Sequence, residues 1–190
     1  MPAGSILPVA LFNGELFFLF GKEMEAGAGA GFSDFGGHRE KFDKSFFDTA
    51  VREGAEELSG FLGDEKELRK RFRKKKAGGL KLDNIKNDYH IYFLPIDYDE
   101  NLPLYYNSNM AFLIKNGVTG RKGLFEKERI KWFSVRELSP EKTKCFREFY
   151  RDIVAEIVAM ETQIISLIKK SGGGGGNGRK NVTLKKTRGG

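Results

Sequence analysis

The 190-residue sequence is poor in cysteine and lacks any long hydrophobic segment. Its single cysteine, Cys145, excludes an internal disulfide framework and is typical of proteins from a reducing compartment. No apolar run approaches the roughly 18 residues of a membrane-spanning helix, so we expect neither a membrane span nor a membrane partner. The first residues lack the basic segment of a signal peptide, and their apolar stretch is interrupted at Asn13-Gly14-Glu15. We therefore expect a cytoplasmic protein.

Acidic residues are missing from the C-terminal end, and this imbalance accounts for most of the charge. The formal net charge is +7, and residues 171–190 supply five of these charges, so residues 1–170 carry only +2. The basic residues of this segment are Arg179, Lys180, Lys185, Lys186 and Arg188. Its glycine-rich composition predicts a disordered basic tail after a domain at 1–170. Such a tail indicates a polyanion-attracting arm rather than a nucleic-acid-binding fold.

The rest of the chain has the composition and pattern of one globular domain. The whole sequence is 39% hydrophobic and 13% aromatic, with 17 phenylalanines. A chain of this length can bury a substantial core. The apolar runs Ile6–Phe12 and Glu15–Phe20 flank Asn13-Gly14, which predicts a β-hairpin.

Four further strands and three helices are predicted after the hairpin. The strands fall at 32–36, 88–97, 110–115 and 129–135, and the helices at 45–58, 64–76 and 141–170. The last and longest helix carries an apolar stripe whose members step by four and three: Phe146, Tyr150, Ile153, Ile157, Met160, Ile164 and Leu167. This order of elements predicts an α+β fold with helices on the faces of a mixed sheet.

The helix predicted at 45–58 carries three acids on one face. At about 100° per residue, Glu53, Glu56 and Glu57 lie within roughly a third of a turn of one another. The apolar residues of this helix occupy a different stripe, so the acids need not face the core. Clustered carboxylates repel one another, and a hard divalent cation such as magnesium would remove that repulsion. The pattern therefore predicts a metal site.

These three acids belong to a stretch, Gly36 to Gly60, that resembles the signature of the Nudix hydrolase superfamily. The signature is a glycine, five residues, an acid, seven residues, and Arg-Glu-apolar-any-Glu-Glu-any-Gly-apolar. Gly37 matches the glycine and Asp43 the acid. Arg52 matches the arginine of the helical core, and Glu53, Glu56 and Glu57 match its three glutamates. These three acids are called the motif glutamates below. The likeness extends from about residue 5 to about residue 155, because the surrounding order of elements also suits the family.

The match departs from the signature at four places. Eight residues rather than seven separate Asp43 from Arg52, and aspartate stands where glutamate is usual. Gly54 replaces an apolar residue, and Ser59 occupies the final glycine position, with Gly60 one residue later. These shifts indicate extra loop length on either side of an intact helix, including a one-residue insertion after the acid.

The resemblance implies an α/β/α sandwich and metal-dependent hydrolysis of a nucleoside diphosphate linked to another moiety. The three motif glutamates and the carbonyl of Gly37 would bind Mg²⁺ or Mn²⁺. Arg52 would hold Glu56 in place across one helical turn. A later loop often supplies the general base in this family, which makes Glu128 the first candidate and Glu126 the second. A motif glutamate is the alternative base.

Five side chains are predicted to contact the substrate. Arg39 lies in the motif loop and is a candidate for phosphate contact. Tyr105 and Tyr106 could stack on a base, with packing in the protein as the alternative. Arg71 and Lys74 belong to the basic helix at 65–76, which is dense enough in charge to bind a phosphate backbone.

Two classes of function follow from these features. The first is a pyrophosphohydrolase, which would act on 5′-capped RNA or on a small nucleotide, namely a dinucleotide polyphosphate, a nucleotide sugar or an NTP. Positive charge in helix 65–76 and in the tail favours RNA, because a long anion gains from distant charge. The second is a non-catalytic binding or scaffold module that contacts a partner, or a second copy as a homodimer, through helix 141–170. Clustered glutamates favour catalysis, since a scaffold has no use for them.

Overall fold

The hairpin at the start of the chain forms the middle of the sheet. In the computed structural model, which describes residues 2–24, 29–75, 80–118 and 126–172, strands β1 (Ala3–Phe12) and β2 (Glu15–Glu23) form this hairpin. Both turn residues have positive φ, 51° at Asn13 and 80° at Gly14, as a two-residue hairpin turn requires. The predicted hairpin is confirmed.

Strand pairing around the hairpin makes a mixed sheet, which in the described part of the chain has seven strands. The other strands are β3 (Phe32–Ser33), β4 (Phe35–His38), β5 (Lys81–Asn84), β6 (Tyr89–Pro95) and β7 (Lys127–Ser134). Strand β1 pairs in parallel with β6 and antiparallel with β2 and β4, while β7 pairs antiparallel with β2. The predicted α+β class with a mixed sheet is confirmed.

Helices cover both faces of this sheet and create two cores. Helices α1 (Phe46–Glu57), α2 (Glu65–Lys74) and α3 (Leu102–Lys115) pack on one face, and α4 (Tyr150–Ala159) and α5 (Glu161–Lys170) on the other. Successive residues of β1 pack into opposite cores, because side chains alternate along a strand. Ile6 lies in the core under α1, α2 and α3, and Leu7 lies in the core under α4 and α5. Within the described ranges, no helix is long and apolar enough to cross a membrane.

The helices predicted at 45–58 and 64–76 correspond to α1 and α2. Ser45 precedes α1 and accepts a hydrogen bond from the Asp48 N–H through its side chain, which is the contact of an N-cap. Asp64 caps α2 in the same way by accepting from the Glu67 N–H. The predicted basic tail lies outside the described residues from position 173 onward and stays a prediction.

Residues 110–115 were predicted to form a strand, and this prediction is wrong because they form the last turns of α3. A continuous apolar run such as MAFLIK has no periodicity that separates a buried strand from a buried helix. Tertiary packing decides the outcome here. Tyr106 and Met110, four residues apart, are both fully buried and form the face of α3 that packs against the sheet.

The single helix predicted at 141–170 is also wrong. Residues Pro140–Cys145 form a 3₁₀ segment, and Met160 separates α4 from α5. The break lets both helices direct apolar residues onto the sheet, and the buried ones are Ile153, Ile157, Ile164 and Ile168. This stripe belongs to the protein's own core, so it does not offer the partner or homodimer surface that the sequence suggested.

Candidate active site

Two glycines allow α1 to lie unusually close to β1. A Cβ on Gly54 would come 2.7 Å from Ile6 Cδ1. A Cβ on Gly4 would come 2.4 Å from the carbonyl oxygen of Phe46. Real Cβ atoms do not approach so closely, so the helix reaches this position only with glycine at both sites. Gly54, which departs from the family signature, therefore has a packing role in this protein.

Arg52 projects from α1 into a group of carboxylates and ties the helix to the preceding loop. Its Nη1 donates to Glu53 Oε1 at 2.8 Å and to Glu56 Oε2 at 3.4 Å. Its Nη2 donates to the carbonyl oxygen of His38 and to Asp43 Oδ2, both at 3.0 Å. The contact predicted between Arg52 and Glu56 is present. Glu53 and Glu56 converge because they share one guanidinium nitrogen.

Asp43 anchors Arg52 from the loop side. Its Oδ2 also accepts hydrogen bonds from the Glu40 N–H and the Thr49 hydroxyl, each at 3.0 Å. Burial by itself raises the pKa of Asp43, but the hydrogen bonds from Arg52, Glu40 and Thr49 outweigh burial and lower it. The side chain therefore stays ionised and fixes the guanidinium beside the motif glutamates.

Strand β4 places Gly37 directly against the carboxylate of Glu53. A Cβ on Gly37 would lie 2.6 Å from the Glu53 carboxyl carbon and from Oε2, and 2.7 Å from Oε1. Gly37 is held there by its pairing with Gly4 of β1. The backbone thus forms a cradle that any side chain would fill. Two residues predicted to bind metal, Gly37 and Glu53, are direct neighbours.

Glu57 is held differently from the other two motif glutamates, because it is buried and both of its oxygens are bound. Its Oε2 accepts a hydrogen bond from the Gly36 N–H at 2.7 Å. Its Oε1 lies 3.3 Å from Nζ of Lys127, and the side chains of this pair are only 4% and 1% exposed. Burial raises the pKa of Glu57 well above its ordinary value, and the charge of Lys127 opposes this effect.

Lys127, at the start of β7, is a site residue that sequence reasoning missed. Its Nζ also contacts the Glu23 carboxylate and, at 3.1 Å, the Ser33 hydroxyl. Burial favours the neutral amine, but Glu57 and Glu23 outweigh burial and raise the pKa of Lys127, which stays protonated. The residue stands in the charged run 126–129, and nothing in that run indicates which side chain is buried.

The two candidates for the general base occupy different places. Glu126 contributes to the raised pKa of all three motif glutamates, so its charge acts at the site. Glu128, the first choice from sequence, instead binds Lys22 Nζ at 2.5 Å. The charge of Glu126 therefore acts on the motif glutamates, whereas Glu128 is paired with Lys22.

Tyr106 cannot stack on a base, because it lies on the buried face of α3 and is fully buried. Its hydroxyl donates to the carbonyl oxygens of Glu57 at 3.0 Å and Lys127 at 3.3 Å. Its predicted role in substrate binding is therefore corrected to a structural one. The signal was ambiguous, since two adjacent tyrosines on a helix point in different directions and only one of them can face the core.

Tyr106→Phe should lower the free energy of unfolding by about 1–2 kcal/mol, because two buried carbonyls lose their donor. Urea unfolding followed by circular dichroism measures the change. Tyr105→Phe is the matched control, since Tyr105 is 58% exposed and should leave stability unchanged. Equal stability of the two variants would contradict the assignment.

The other predicted substrate contacts lie at the surface. Arg39 is exposed, but its guanidinium donates to the backbone carbonyls of residues 43 and 44 at 3.1–3.3 Å. Tyr105 is exposed and has an accessible ring. Arg71 and Lys74 line a groove on α2 whose lining does not include the motif glutamates.

The side chains around Arg52 fit a divalent cation. Within the described ranges, no three carboxylate, imidazole or thiolate side chains already surround one point as ligands. Arg52 and Lys127 bind oxygens of the motif glutamates instead. Glu53 and Glu56 supply the hard oxygen donors that Mg²⁺ and Mn²⁺ prefer, and the Gly37 backbone lies directly beside Glu53. Their mutual repulsion is the energetic reason to bind a cation.

The affinity for Mn²⁺ should fall on acidification at a higher pH than ordinary glutamates would require. Burial raises the pKa of Glu53 and of Glu56 above the ordinary 4.5, Arg52 opposes it, and Glu126 adds to it. A protonated carboxylate does not bind metal, so raised pKa values move the loss of affinity upward. Mn²⁺ titrations followed by electron paramagnetic resonance between about pH 7 and about pH 4 would measure the midpoint. A midpoint below 4.5 would contradict these shifts.

Comparison with solved structures identifies the fold. A Caenorhabditis elegans Ap4A hydrolase, in a binary complex, superposes with a TM-score of 0.50 at 10% identity, over 85% of this chain and 98% of that one. A Nudix hydrolase from Mycobacterium smegmatis, RenU, matches with a TM-score of 0.47 at 10% identity, over 86% and 88% of the two chains. No protein-family model and no curated protein sequence matches the chain. The likeness to the Ap4A hydrolase concerns the fold alone.

Proposed function

We propose that this protein, whose fold is similar to that of a Nudix-type Ap4A hydrolase, is a metal-dependent pyrophosphohydrolase acting on a nucleoside diphosphate linked to another moiety. One observation carries the proposal. Glu53 and Glu56 meet at one nitrogen of Arg52, and the backbone of Gly37 lies directly against the Glu53 carboxylate. Glu56 is 37% exposed at its side chain and its contact with Arg52 is long, at 3.4 Å, so its carboxylate adds little to the fold and is available to a cation from solvent.

Each side chain of the site has a role in this reaction. Glu53 and Glu56, with the Gly37 backbone, would hold the divalent ion. When bound, the ion supplies charge neutralisation of the diphosphate and a more acidic water. Arg52 orients the two helical carboxylates through the contacts described above. We assign Glu126 as acceptor of the proton released by the attacking water, because it lies outside the Arg52 network and its charge reaches all three motif glutamates.

A substrate panel tests the proposal. The purified protein is incubated with Mg²⁺ or Mn²⁺ and with Ap4A, a nucleotide sugar, an NTP or 5′-capped RNA, and the products are separated by ion-exchange chromatography. We expect cleavage of a diphosphate linkage that stops when EDTA is added. Mn²⁺ binding without any hydrolysis would favour the binding-module alternative and overturn the catalytic proposal.

A second candidate substrate, 5′-capped RNA, is supported by the surface of α2. A groove of about 260 Å³ there is lined by four cations together with Glu67, Pro95, Ile96 and Asp97. The cations are Lys70, Arg71, Lys74 and Lys75. Helix α2 lies beside the acidic helix α1, since Arg69 Nη1 contacts Asp48 Oδ1 at 2.8 Å. The groove cations therefore stand on the helix next to the one that carries the motif glutamates.

The start of the basic tail meets the same end of α2. The Ser171 hydroxyl donates to the Lys75 carbonyl oxygen at 2.5 Å, so Ser171 lies beside the groove. Residues 173–190, which carry the five tail cations, continue from this point in sequence. Both basic features of the sequence are thus connected to one surface, which would attract a long polyanion.

Salt dependence distinguishes the two substrate classes. If RNA is the substrate, KM for capped RNA should rise steeply with salt, and Lys74→Glu or deletion of 173–190 should raise it further, while hydrolysis of small nucleotides stays unchanged. Lys142→Glu, on a 3₁₀ segment elsewhere, is the control for a single charge reversal. Equal salt dependence for capped RNA and for Ap4A would exclude the RNA version.

A further inference from the structure

Lys127 is a fully buried charge beside the candidate site, and oxygen atoms surround its ammonium group. The whole residue is 0% exposed. Three oxygens surround Nζ, one each from Glu23, Glu57 and Ser33. It donates hydrogen bonds to Glu23 and Ser33, and the Glu57 oxygen, 3.3 Å from Nζ, forms an ion pair with it. A lysine in this position is costly to bury unless its charge is needed there.

The contacts of Lys127 separate Glu57 from the other motif glutamates. Glu57 is clamped between Lys127 and the Gly36 N–H, with both oxygens engaged inside the protein. Glu56 is 37% exposed at its side chain, and among the described residues its carboxylate contacts Arg52 alone. The cation beside Glu57 is therefore part of the fold, whereas Glu56 faces solvent and can take a cation from there.

The backbone around Lys127 ties the same cluster to Glu126. The Tyr106 hydroxyl bridges the carbonyl oxygens of Glu57 and Lys127. The carbonyl oxygen of Glu126 accepts a hydrogen bond from the Met24 N–H at 3.0 Å, next to Glu23. The side chain and the backbone of Lys127 thus join the end of α1 to the strand that directly follows the candidate base Glu126.

We propose that Lys127 is a positioning residue that acts as a built-in cation. It neutralises Glu57, fixes its carboxylate against Gly36 of β4, and limits the negative charge presented to the divalent ion at Glu53 and Glu56. The inference rests on the proposed function for its catalytic consequence. Its electrostatic part concerns metal binding by the protein alone and needs no substrate.

The physical consequence has a definite sign. A fixed positive charge a few ångströms from a divalent cation weakens binding of that cation. Without Lys127, Glu57 becomes an unpaired carboxylate beside the site. The ion should then bind more tightly. The Glu57 carboxylate, however, is no longer held in position against Gly36. Tighter metal binding combined with slower turnover is the signature of this role.

The double variant Lys127→Met/Glu23→Gln tests the proposal while protecting the fold. Lys127→Met alone leaves two buried carboxylates without their cation and can unfold the protein. Adding Glu23→Gln keeps the net charge and leaves an amide oxygen that can accept from Ser33 and from Arg147, which contacts Glu23 at 2.9 Å. Lys131→Met, on the same strand but with its side chain 52% exposed, is the matched control.

We expect Lys127→Met to bind Mn²⁺ about tenfold more tightly than the wild type, by electron paramagnetic resonance without nucleotide. The double variant keeps the net charge, so its Mn²⁺ affinity should return towards the wild-type value, while its turnover should stay at least about tenfold slower because Glu57 has lost its partner. A merely structural lysine would give normal turnover in the double variant once stability is restored, and that result overturns the proposal. Unchanged or weaker Mn²⁺ binding by folded Lys127→Met overturns it as well. A shifted Mn²⁺ affinity in a protein that hydrolyses nothing would retain the built-in cation and reject only the proposed function.

Discussion

Replacing Glu56 by glutamine should lower turnover by about 1,000-fold and leave the fold intact. The carboxylate is 37% exposed and its contact with Arg52, at 3.4 Å, is long, so its loss removes little stability. It does remove a charged oxygen donor from the metal, and several kcal/mol of transition-state stabilisation depend on such donors. About 4 kcal/mol corresponds to the expected factor.

Steady-state rates with saturating Mg²⁺ and thermal denaturation of the same preparation measure the two effects. Glu53→Gln should behave similarly in rate, with a larger loss of stability because its carboxylate contacts Arg52 at 2.8 Å and is less exposed. Glu65→Gln is the control for removal of one nearby acid, since it contacts only Arg69, at 3.7 Å. A Glu56→Gln variant with wild-type rates would show that the metal assignment is wrong.

Gly37→Ala should reduce turnover by at least about 100-fold, because the new methyl group occupies the space of the Glu53 carboxylate. The added Cβ would lie 2.6 Å from the carboxyl carbon, which is far inside contact distance. Gly37 is fixed by the sheet, so the strain moves the glutamate rather than the strand. Displacement of a catalytic carboxylate by about 1 Å is enough for a loss of this size.

Gly60→Ala is the control for this glycine. It has φ of +75° and no atom within 4 Å of an added Cβ, so alanine there causes local backbone strain without touching the site. It should cost about 1 kcal/mol of stability and leave turnover unchanged. If both glycine variants lose the same small amount of activity, the close approach of Gly37 to Glu53 is not required for catalysis. A crystal structure of Gly37→Ala would show directly whether the carboxylate moves.

Most of the architecture could be predicted from sequence, because the strongest local signals agree with the final fold. Asn13-Gly14 between apolar runs requires a tight hairpin wherever it occurs. Ser45 before an apolar-periodic segment starts a helix, and the spacing of Glu53 and Glu56 places both on one side of it. These features act within a few residues, so they need no knowledge of the rest of the chain.

The errors arose where local signals were ambiguous. MAFLIK could form a strand or a helix, and packing of Tyr106 and Met110 against the sheet selected the helix. The apolar stripe of 146–167 has one helical period, yet the chain breaks at Met160 because two short helices cover the sheet better than one straight helix. Burial of that stripe also removed the basis for a partner surface.

The sequence by itself determined the hairpin, the acidic helix and the carboxylate spacing that a metal site requires, since all three depend on local periodicity. Only the tertiary structure decided which charges meet. It placed Glu128 against Lys22 and buried Lys127 between Glu23 and Glu57. Such contacts join residues that are 70 to more than 100 positions apart, and no local pattern encodes them. Long-range electrostatics of this kind follows from strand pairing, here of β7 with β2.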